Sequence, residues 1–283
     1  MPKVKIVTDS TSDITPELAA AYGIEVLPLT VTVDGQDYRD GVDIHPEQFY
    51  SLQKTARELP RTTQVTLAQL KECFARLVED GSHVISIHLS GALSGTVGAA
   101  GLAAEQLDRS KVTVVDSRSI SLGQGFMVLE AANLARAGHA AGEIVARVLE
   151  LRAQMETIFT VSTLEYLCKG GRIGRVPAAL GTLLNIKPLI RVEDGVYTSF
   201  GKVRTLSQAI EKFVAFARQK AGNSPLRIAV GHGAAPEAAL KLREAVQAAL
   251  HAHEEIHFFQ VGPAIGVHTG PGTLGMAFYP VQP

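Results

Sequence analysis

Four segments rich in glycine or hydroxyl groups carry the side chains best suited to binding chemistry. They are residues 61–66, 90–96, 169–175 and 266–272. Glycine lets the backbone approach a ligand closely, and hydroxyl, imidazole and guanidinium groups donate hydrogen bonds. Ser94 and Thr96 are therefore candidate donors to a ligand, and His268, Arg172 and Arg175 are candidate donors to an anion.

The segment 90–96, with the sequence SGALSGT, matches neither of two familiar motifs. A nucleophile elbow has the pattern G-x-S-x-G, whereas Gly91 lies three residues before Ser94. A phosphate-binding P-loop requires a lysine after its second glycine, and Thr96 follows Gly95 here. The segment is therefore either a ligand-binding loop or a tight strand-to-helix turn.

His268 lies in a stretch, 256–283, that contains no Asp, Glu, Lys or Arg. Prolines and glycines interrupt this stretch, so it predicts a buried strand, a loop and a second strand rather than a membrane helix. A buried imidazole needs a hydrogen-bond partner. His268 is thus either a core histidine bonded to the backbone or a donor to an anionic ligand. The segments around Thr62 and Arg172 are likewise open to two interpretations, ligand contact or simple capping of backbone groups.

A catalytic interpretation uses some of the same residues. Ser94 and His268, with either Asp9 or Asp116, would form a serine hydrolase triad, which only geometry can establish. The string H-x-H-x-x-x-H that begins at His251 suggests metal ligation, but it crosses a predicted helix–strand boundary. It also lacks a cysteine, an aspartate or a second fixed pair of ligands, so no bound metal is expected.

Composition limits the classes of function. The chain has 283 residues, of which 46% are hydrophobic and 19% charged, with a formal net charge of −1. No stretch concentrates Lys or Arg, which argues against nucleic acid as a partner. Cys73 and Cys168 form neither a disulfide framework nor a metal motif. The N-terminus enters a strand pattern without a signal-peptide region, which predicts a cytoplasmic protein with no integral membrane segment.

Short β-branched runs alternate with amphipathic helical stretches, which predicts an α/β fold with mostly parallel sheets. The predicted strands are 5–8, 26–33, 84–88, 112–115, 158–161, 227–230 and 256–260, and the predicted helices are 68–78, 122–135, 142–155, 206–217 and 237–250. A hinge near Met155 divides the chain into α/β domains 1–155 and 156–283.

Asp-Ser pairs follow two of the predicted strands, at 9–10 and 116–117. Ligands gather beyond the carboxyl ends of parallel strands. We therefore expect these loops to converge with the 90–96 loop.

The order of several short motifs along the chain is more specific than any one of them. They are TDSTSD at 8–13, PLTV at 28–31, YRDG at 38–41, TTQ at 62–64, LSGT at 93–96, DS at 116–117, GGRI at 170–173, KP at 187–188 and HTGPG at 268–272. In this order they resemble the DegV family over essentially the full length.

The resemblance implies a lipid-binding protein without catalytic machinery of its own. One long-chain fatty acid, such as a C16–C18 acyl chain, would lie in a tunnel between two α/β domains, with no metal or other cofactor. Its carboxylate would contact Thr62, Ser94 and His268. Further residues are expected to support the site: Asp9, Ser10, Gly95, Thr96, Ser117, Arg172 and Thr269.

The resemblance also implies a partner, because some members of the DegV family present the lipid to a separate ATP-binding subunit of a fatty-acid kinase. The partner expected here is therefore such a kinase subunit. The alternative function is a serine hydrolase that acts on acyl esters through Ser94 and His268.

Overall fold

A computed structural model describes residues 3–177 and 186–281. The strands are β1 (Val4–Asp9), β2 (Ile24–Leu27), β3 (Thr30–Val33), β4 (Gln36–Arg39), β5 (Arg61–Thr63), β6 (His83–His88), β7 (Val112–Asp116), β8 (Glu156–Thr160), β9 (Lys187–Glu193), β10 (Val196–Val203), β11 (Leu226–His232), β12 (His257–Gln260) and β13 (Leu274–Pro280). The helices are α1 (Pro16–Tyr22), α2 (Pro46–Thr55), α3 (Leu67–Val78), α4 (Thr96–Leu107), α5 (Ser121–Arg136), α6 (Ala141–Gln154), α7 (Glu165–Lys169), α8 (Leu206–Ala221), α9 (Pro236–Ala249) and α10 (Pro263–Thr269). The α/β class is as predicted.

The first sheet has the strand order β2-β1-β6-β7, and all three of its pairings are parallel. β1 and β6 are buried along most of their length, as expected for parallel strands covered on both faces. The long connections that parallel pairing requires are supplied by helices such as α4, between β6 and β7. The carboxyl ends of β1, β6 and β7 therefore deliver the 9–10, 90–96 and 116–117 loops to one edge, as predicted.

The second sheet has the order β10-β9-β8-β13-β11-β12, and its pairing differs from the prediction. Only β11 and β12, which are joined through α9, are parallel among its described strands. The other four pairings are antiparallel. β9 and β10 form a hairpin whose turn residues Asp194 and Gly195 both have positive φ, at 51° and 80°. Such a short turn forces antiparallel pairing, so the expectation of mostly parallel strands holds for the first sheet only.

A small antiparallel sheet, β4-β3-β5, lies beside α10. The run predicted as one strand over 26–33 is broken at Pro28, where the chain leaves β2 before it begins β3. The loop predicted within 256–283 is in fact the helix α10. Pro263 occupies its first turn and Gly270 follows its end with a φ of 73°, so residues that look like helix breakers act as helix boundaries.

Helices α5 and α6 lie between the two larger sheets. Their apolar residues share one core with Ile6 and Ile85 of the first sheet and with Ala277 and Tyr279 of the second. All described strands of the first sheet precede residue 155, and all described strands of the second follow it. None of the helices within residues 3–177 and 186–281 has the length and apolar character needed to cross a bilayer.

Candidate functional site

The three residues predicted to contact a ligand line one cavity. Thr62, Ser94 and His268 surround a space of about 270 Å³. Its other described lining residues are Thr11, Leu29, Thr63, Gln64, Leu89, Leu93, Ile120, Arg172, Tyr197, Ala264 and Ile265. Polar groups therefore meet six aliphatic side chains in the wall, and residues from both halves of the chain contribute.

Thr62 and His268 form the central polar contact of the cavity. Thr62 lies in β5, which pairs with β3 at Val31, and His268 lies in the last turn of α10. Thr62 Oγ1 is 2.8 Å from His268 Nε2. A neutral imidazole that carries its proton on Nε2 donates to this oxygen, which leaves the Thr62 hydroxyl proton free to donate into the cavity.

The protonation of His268 follows from its surroundings. Burial, and to a lesser extent the nearby positive charge of Arg172, lowers the pKa of the imidazole to about 4. At neutral pH the ring is therefore uncharged and has a single N–H to donate. Its Nδ1 atom is buried and has no hydrogen-bond partner among the described residues.

Ser94 lies in the turn between β6 and α4. The backbone N–H groups of Leu93 and Ser94 both donate to Ser90 O, at 3.0 and 3.1 Å, which closes the turn. The Ser94 hydroxyl is 3.0 Å from Thr96 Oγ1 and accepts from the Thr96 N–H at 3.3 Å. The segment is thus both a strand-to-helix turn and part of the cavity wall, because Ser94 stays partly exposed toward the cavity.

Arg172 joins the glycine-rich 169–175 segment to the turn that contains Ser94. Its Nε donates to Leu93 O at 3.3 Å and its Nη1 to Gly170 O at 2.7 Å. A Cβ atom on Gly170 would lie only 2.4 Å from His268 Nδ1, so glycine is required for this segment to lie against the imidazole. Arg172 therefore caps carbonyl groups and also lines the cavity, and its contact with a ligand stays a prediction.

Asp9, expected to support the site, is instead part of a buried network beneath it. Its carboxylate is 2.9 Å from His88 Nδ1 and accepts from the N–H groups of Thr11 and Leu89, each at 3.1 Å. Burial opposes ionisation of Asp9, but hydrogen bonds and charge from His88, with the other donors, outweigh burial and lower its pKa. Asp9 thereby fixes the turn that carries Thr11 into the cavity wall.

The remaining supporting residues contact other protein groups. Ser10 Oγ accepts from the Leu29 N–H at 3.1 Å, and Ser117 Oγ closes a turn with the backbone of Ser119. Thr269 Oγ1 donates to Ile265 O at 3.2 Å within α10. Thr96 is fully buried behind Ser94. A Cβ atom on Gly95 would lie 2.1 Å from Gln64 Oε1, so this glycine makes room for a cavity-lining side chain.

The geometry does not assemble the hydrolase triad. His268 contacts Thr62 rather than Ser94, and neither candidate acid reaches it within the described part of the chain. Asp9 bonds to His88, and Asp116 accepts from the backbone N–H groups of Gly91 and Arg118.

Other cavities adjoin this one and share lining residues with it. A polar cavity of about 580 Å³ shares Thr62, Arg172 and His268 with it and is lined further by Arg61 and Lys169. On the apolar side, Ile120 and Ile265 are shared with a cavity of about 30 Å³. That cavity shares Leu122 with a third apolar space of about 110 Å³, which is also lined by Phe126 and Phe258.

The chain matches a known protein family along nearly its whole length. Residues 3–281 match the family model described as "Uncharacterised protein, DegV family". The chain belongs to the DegV family. A DegV domain-containing protein of Deinococcus radiodurans is 39% identical, with 99% of each chain covered.

Solved structures of DegV proteins have the same fold. A DegV-family protein from Thermus thermophilus, described as binding fatty acid, has a TM-score of 0.93 and 37% identity, and the match covers 99% of this chain and 100% of that one. DegV from Bacillus subtilis, described as a fatty acid binding protein, has a TM-score of 0.89 and 31% identity, with 99% and 100% covered.

Several residues that line this cavity were not among those predicted from the sequence. Tyr197 enters from the β9–β10 hairpin, which no sequence signal placed beside the Ser94 turn. Ile120 and Ile265 look like ordinary core residues, and only the fold shows that they face a cavity. Gln64 lies within the quoted TTQ motif, so its position beside Thr62 is the one signal that could have identified it.

Proposed function

We propose that this chain binds one long-chain fatty acid, with its carboxylate at Thr62, Ser94 and His268. The observation that carries the proposal is the convergence of these three side chains on a cavity whose wall also contains six aliphatic residues. The fatty-acid binding described for the relatives from Thermus thermophilus and Bacillus subtilis supports it.

The head group would be held mainly by neutral donors. In the proposed complex, His268 Nε2–H donates to Thr62 Oγ1, and the Thr62 and Ser94 hydroxyls donate to the carboxylate. Arg172 lines the same cavity and supplies a positive charge. An unpaired carboxylate is costly to bury, and hydrogen bonds to charged acceptors are the stronger class, which favours such a donor set.

The acyl tail would extend toward the apolar cavities. The shared lining residues Ile120, Ile265 and Leu122 support a route from the head-group cavity toward Phe126 and Phe258. A C16 chain would bury about 14 methylenes, each worth about 0.8 kcal/mol, so the tail supplies most of the driving force. We propose that this route runs between domains 1–155 and 156–283.

We further propose that the bound carboxylate is presented to a separate ATP-dependent fatty-acid kinase subunit. The polar cavity lined by Arg61 and Lys169 is also lined by Thr62 and His268, which supports access for such a partner. The cytoplasm, where ATP is available, is the proposed location.

Binding is tested by titrating delipidated protein with palmitic acid. Replacing Thr62 and Ser94 together by Ala is expected to weaken binding by about tenfold or more, since two hydrogen bonds to a charged group are lost. A matched control removes two exposed hydroxyls, those of Thr55 and Ser207. Unchanged affinity in the Thr62→Ala, Ser94→Ala protein would refute the proposed head-group site.

The kinase role is tested separately, by adding ATP and a purified ATP-binding kinase subunit to the palmitate-loaded protein. The expected product is acyl phosphate, formed only when this protein is present. Retained palmitate without phosphorylation by any such subunit would overturn the kinase role and leave lipid binding in place.

A further inference from the structure

Helix α10 belongs to the C-terminal half of the chain but packs into the N-terminal half. Its buried residues Ala264 and Val267 belong to the same apolar core as Phe49 and Tyr50 of α2. A Cβ atom on Gly266 would lie 2.7 Å from Tyr50 Oη and 2.8 Å from Phe49 Cε1, so the two helices are in close contact. The position of α10 is therefore set by residues from the other half of the chain.

Two carboxylates bind the backbone at the start of α10. The Gly262 N–H donates to Asp13 Oδ1 at 2.9 Å, and the Ala264 N–H donates to Asp40 Oδ2 at 3.4 Å. Pro263, between them, has no N–H to satisfy. Both carboxylates come from the N-terminal half, from the turn after β1 and from the residue that follows β4.

Both carboxylates lie close to Gly262. A Cβ atom on this glycine would lie 2.7 Å from Asp13 Oδ1 and 3.8 Å from Asp40 Oδ1. Asp13 also accepts a hydrogen bond from the Ser121 hydroxyl, and both Asp13 and Ser121 have positive φ, at 54° and 49°. Positive φ is uncommon in residues other than glycine, so backbone strain is concentrated at this point.

This arrangement costs stability. Burial raises the pKa of Asp13 to about 7 against the hydrogen bonds from Ser121 and Gly262. Burial, reinforced by the charge of Asp13, raises the pKa of Asp40 to about 7 as well. A helix start is ordinarily capped by one exposed Ser, Thr, Asp or Asn. Two adjacent buried acids therefore reduce the stability of the fold more than an ordinary cap. Buried ionisable groups with strongly shifted pKa values concentrate at functional sites.

We propose that Asp13 and Asp40 are positioning residues that hold α10 so that His268 stays within hydrogen-bond distance of Thr62. His268 lies six residues after Gly262, about 9 Å along the helix axis, so a shift or rotation of the helix start displaces the imidazole. The inference rests on the proposed function, because its consequence is affinity for the acyl ligand.

The alternative is that the two acids stabilise the fold without acting on the site. A double-mutant cycle separates the two roles, because a residue that acts through His268 has no effect once His268 is removed. Palmitic acid is titrated into delipidated wild type, Asp40→Ala, His268→Ala and the double variant. Asp40→Ala is expected to weaken binding about tenfold in wild type and to add less than a twofold loss in the His268→Ala protein.

Two conservative variants and a spectroscopic signal complete the test. Asp40→Asn and Asp13→Asn keep an oxygen that accepts from the α10 backbone, so they should bind palmitate within about threefold of wild type. The imidazole ¹⁵N signals of His268 should shift in Asp40→Ala toward those seen in Thr62→Val and return in Asp40→Asn. Asp108→Ala is the matched control, since Asp108 caps the Ser110 N–H at 2.9 Å in an exposed turn.

Equal losses of affinity in both backgrounds, or unchanged His268 signals in Asp40→Ala, would overturn the positioning role. If Asp40→Ala does not fold, the same cycle is run with Asp13→Ala and the signals of the two Asn variants are compared. Full palmitate binding by the Thr62→Ala, Ser94→Ala protein would instead refute the proposed function. If the Thr62→Ala, Ser94→Ala protein binds palmitate weakly but the Asp variants bind it normally, the positioning role is refuted and the proposed function stands.

Discussion

Thr62 Oγ1 and His268 Nε2 are 2.8 Å apart although 206 residues separate them in sequence. β5 carries the threonine and α10 the histidine, and the two elements come from opposite halves of the chain. Both side chains line the head-group cavity, which also has aliphatic lining residues, and the adjoining polar cavity. The pair therefore lies where a bound carboxylate would meet both an apolar interior and a polar approach.

The neutral state of His268 gives a prediction about pH. The imidazole of the folded, ligand-free protein should titrate near pH 4 rather than at its ordinary value of 6.5. The pKa of this imidazole is lower in the folded than in the unfolded protein. The unfolding free energy is therefore highest above pH 6.5 and decreases as the pH falls toward 4. NMR titration of His268 checks this prediction, and a titration midpoint near 6.5 would contradict the burial of the ring.

The buried Asp40 gives a prediction of opposite sign. Its pKa is about 7 in the folded protein and 3.8 in the reference state, so the native state binds more protons between these values. The unfolding free energy should therefore fall as pH rises from about 4 to about 7. Burial is the main cause of this raised pKa, the charges of Asp13 and Asp9 add to it, and hydrogen bonds from Ser10 and the Ala264 N–H oppose it.

Asp40→Asn isolates this effect from that of His268. Urea unfolding of wild type and variant is measured across this pH range, and the variant should gain stability relative to wild type as the pH rises. A difference between the two proteins that does not change with pH would show that Asp40 titrates normally.

The fit of α10 against α2 is tested by Gly266→Ala. The added methyl group would collide with the buried Phe49 and Tyr50 side chains, and such overpacking costs about 1–3 kcal/mol. Displacement of α10 should also weaken palmitate binding. Gly101→Ala is the control: nothing lies within 4 Å of its added Cβ in α4, so about 0.5–1 kcal/mol of stabilisation is expected from helix propensity. Urea denaturation measures both, and equal stability changes in the two variants would contradict the close packing.

The tail route is tested by Ile120→Phe. Ile120 is 3% exposed and lines both the head-group cavity and the adjoining apolar cavity, so a larger ring narrows their junction. Mass spectrometry of bound lipid should show shorter acyl chains or less lipid. Leu240→Phe, at a position 39% exposed, is the control. An unchanged chain-length distribution in Ile120→Phe would place the tail elsewhere.

The sequence predicted those parts of the site that depend on local pattern or on motif order. The 90–96 turn follows from its glycines and hydroxyls, and the α/β class follows from strand–helix alternation. Thr62, Ser94 and His268 were predicted from the resemblance that the order of the motifs indicates. The structure places all three around one cavity.

The remaining features depend on contacts that no local pattern encodes. α10 looked like a loop because proline and glycine flank it, and its packing against Phe49 and Tyr50 makes it a helix. The antiparallel pairing of β13 depends on which strands become its neighbours. Asp13 and Asp40 look like turn residues in sequence, because the backbone they bind is more than 200 residues away.

The most direct test of the account is native mass spectrometry of the wild-type protein as purified from cells, followed by identification of any lipid released on denaturation. The account predicts a one-to-one complex whose added mass is that of a long-chain fatty acid, and release of that acid as a free carboxylic acid. Protein that carries no fatty acid and takes up none when palmitic acid is added would contradict it.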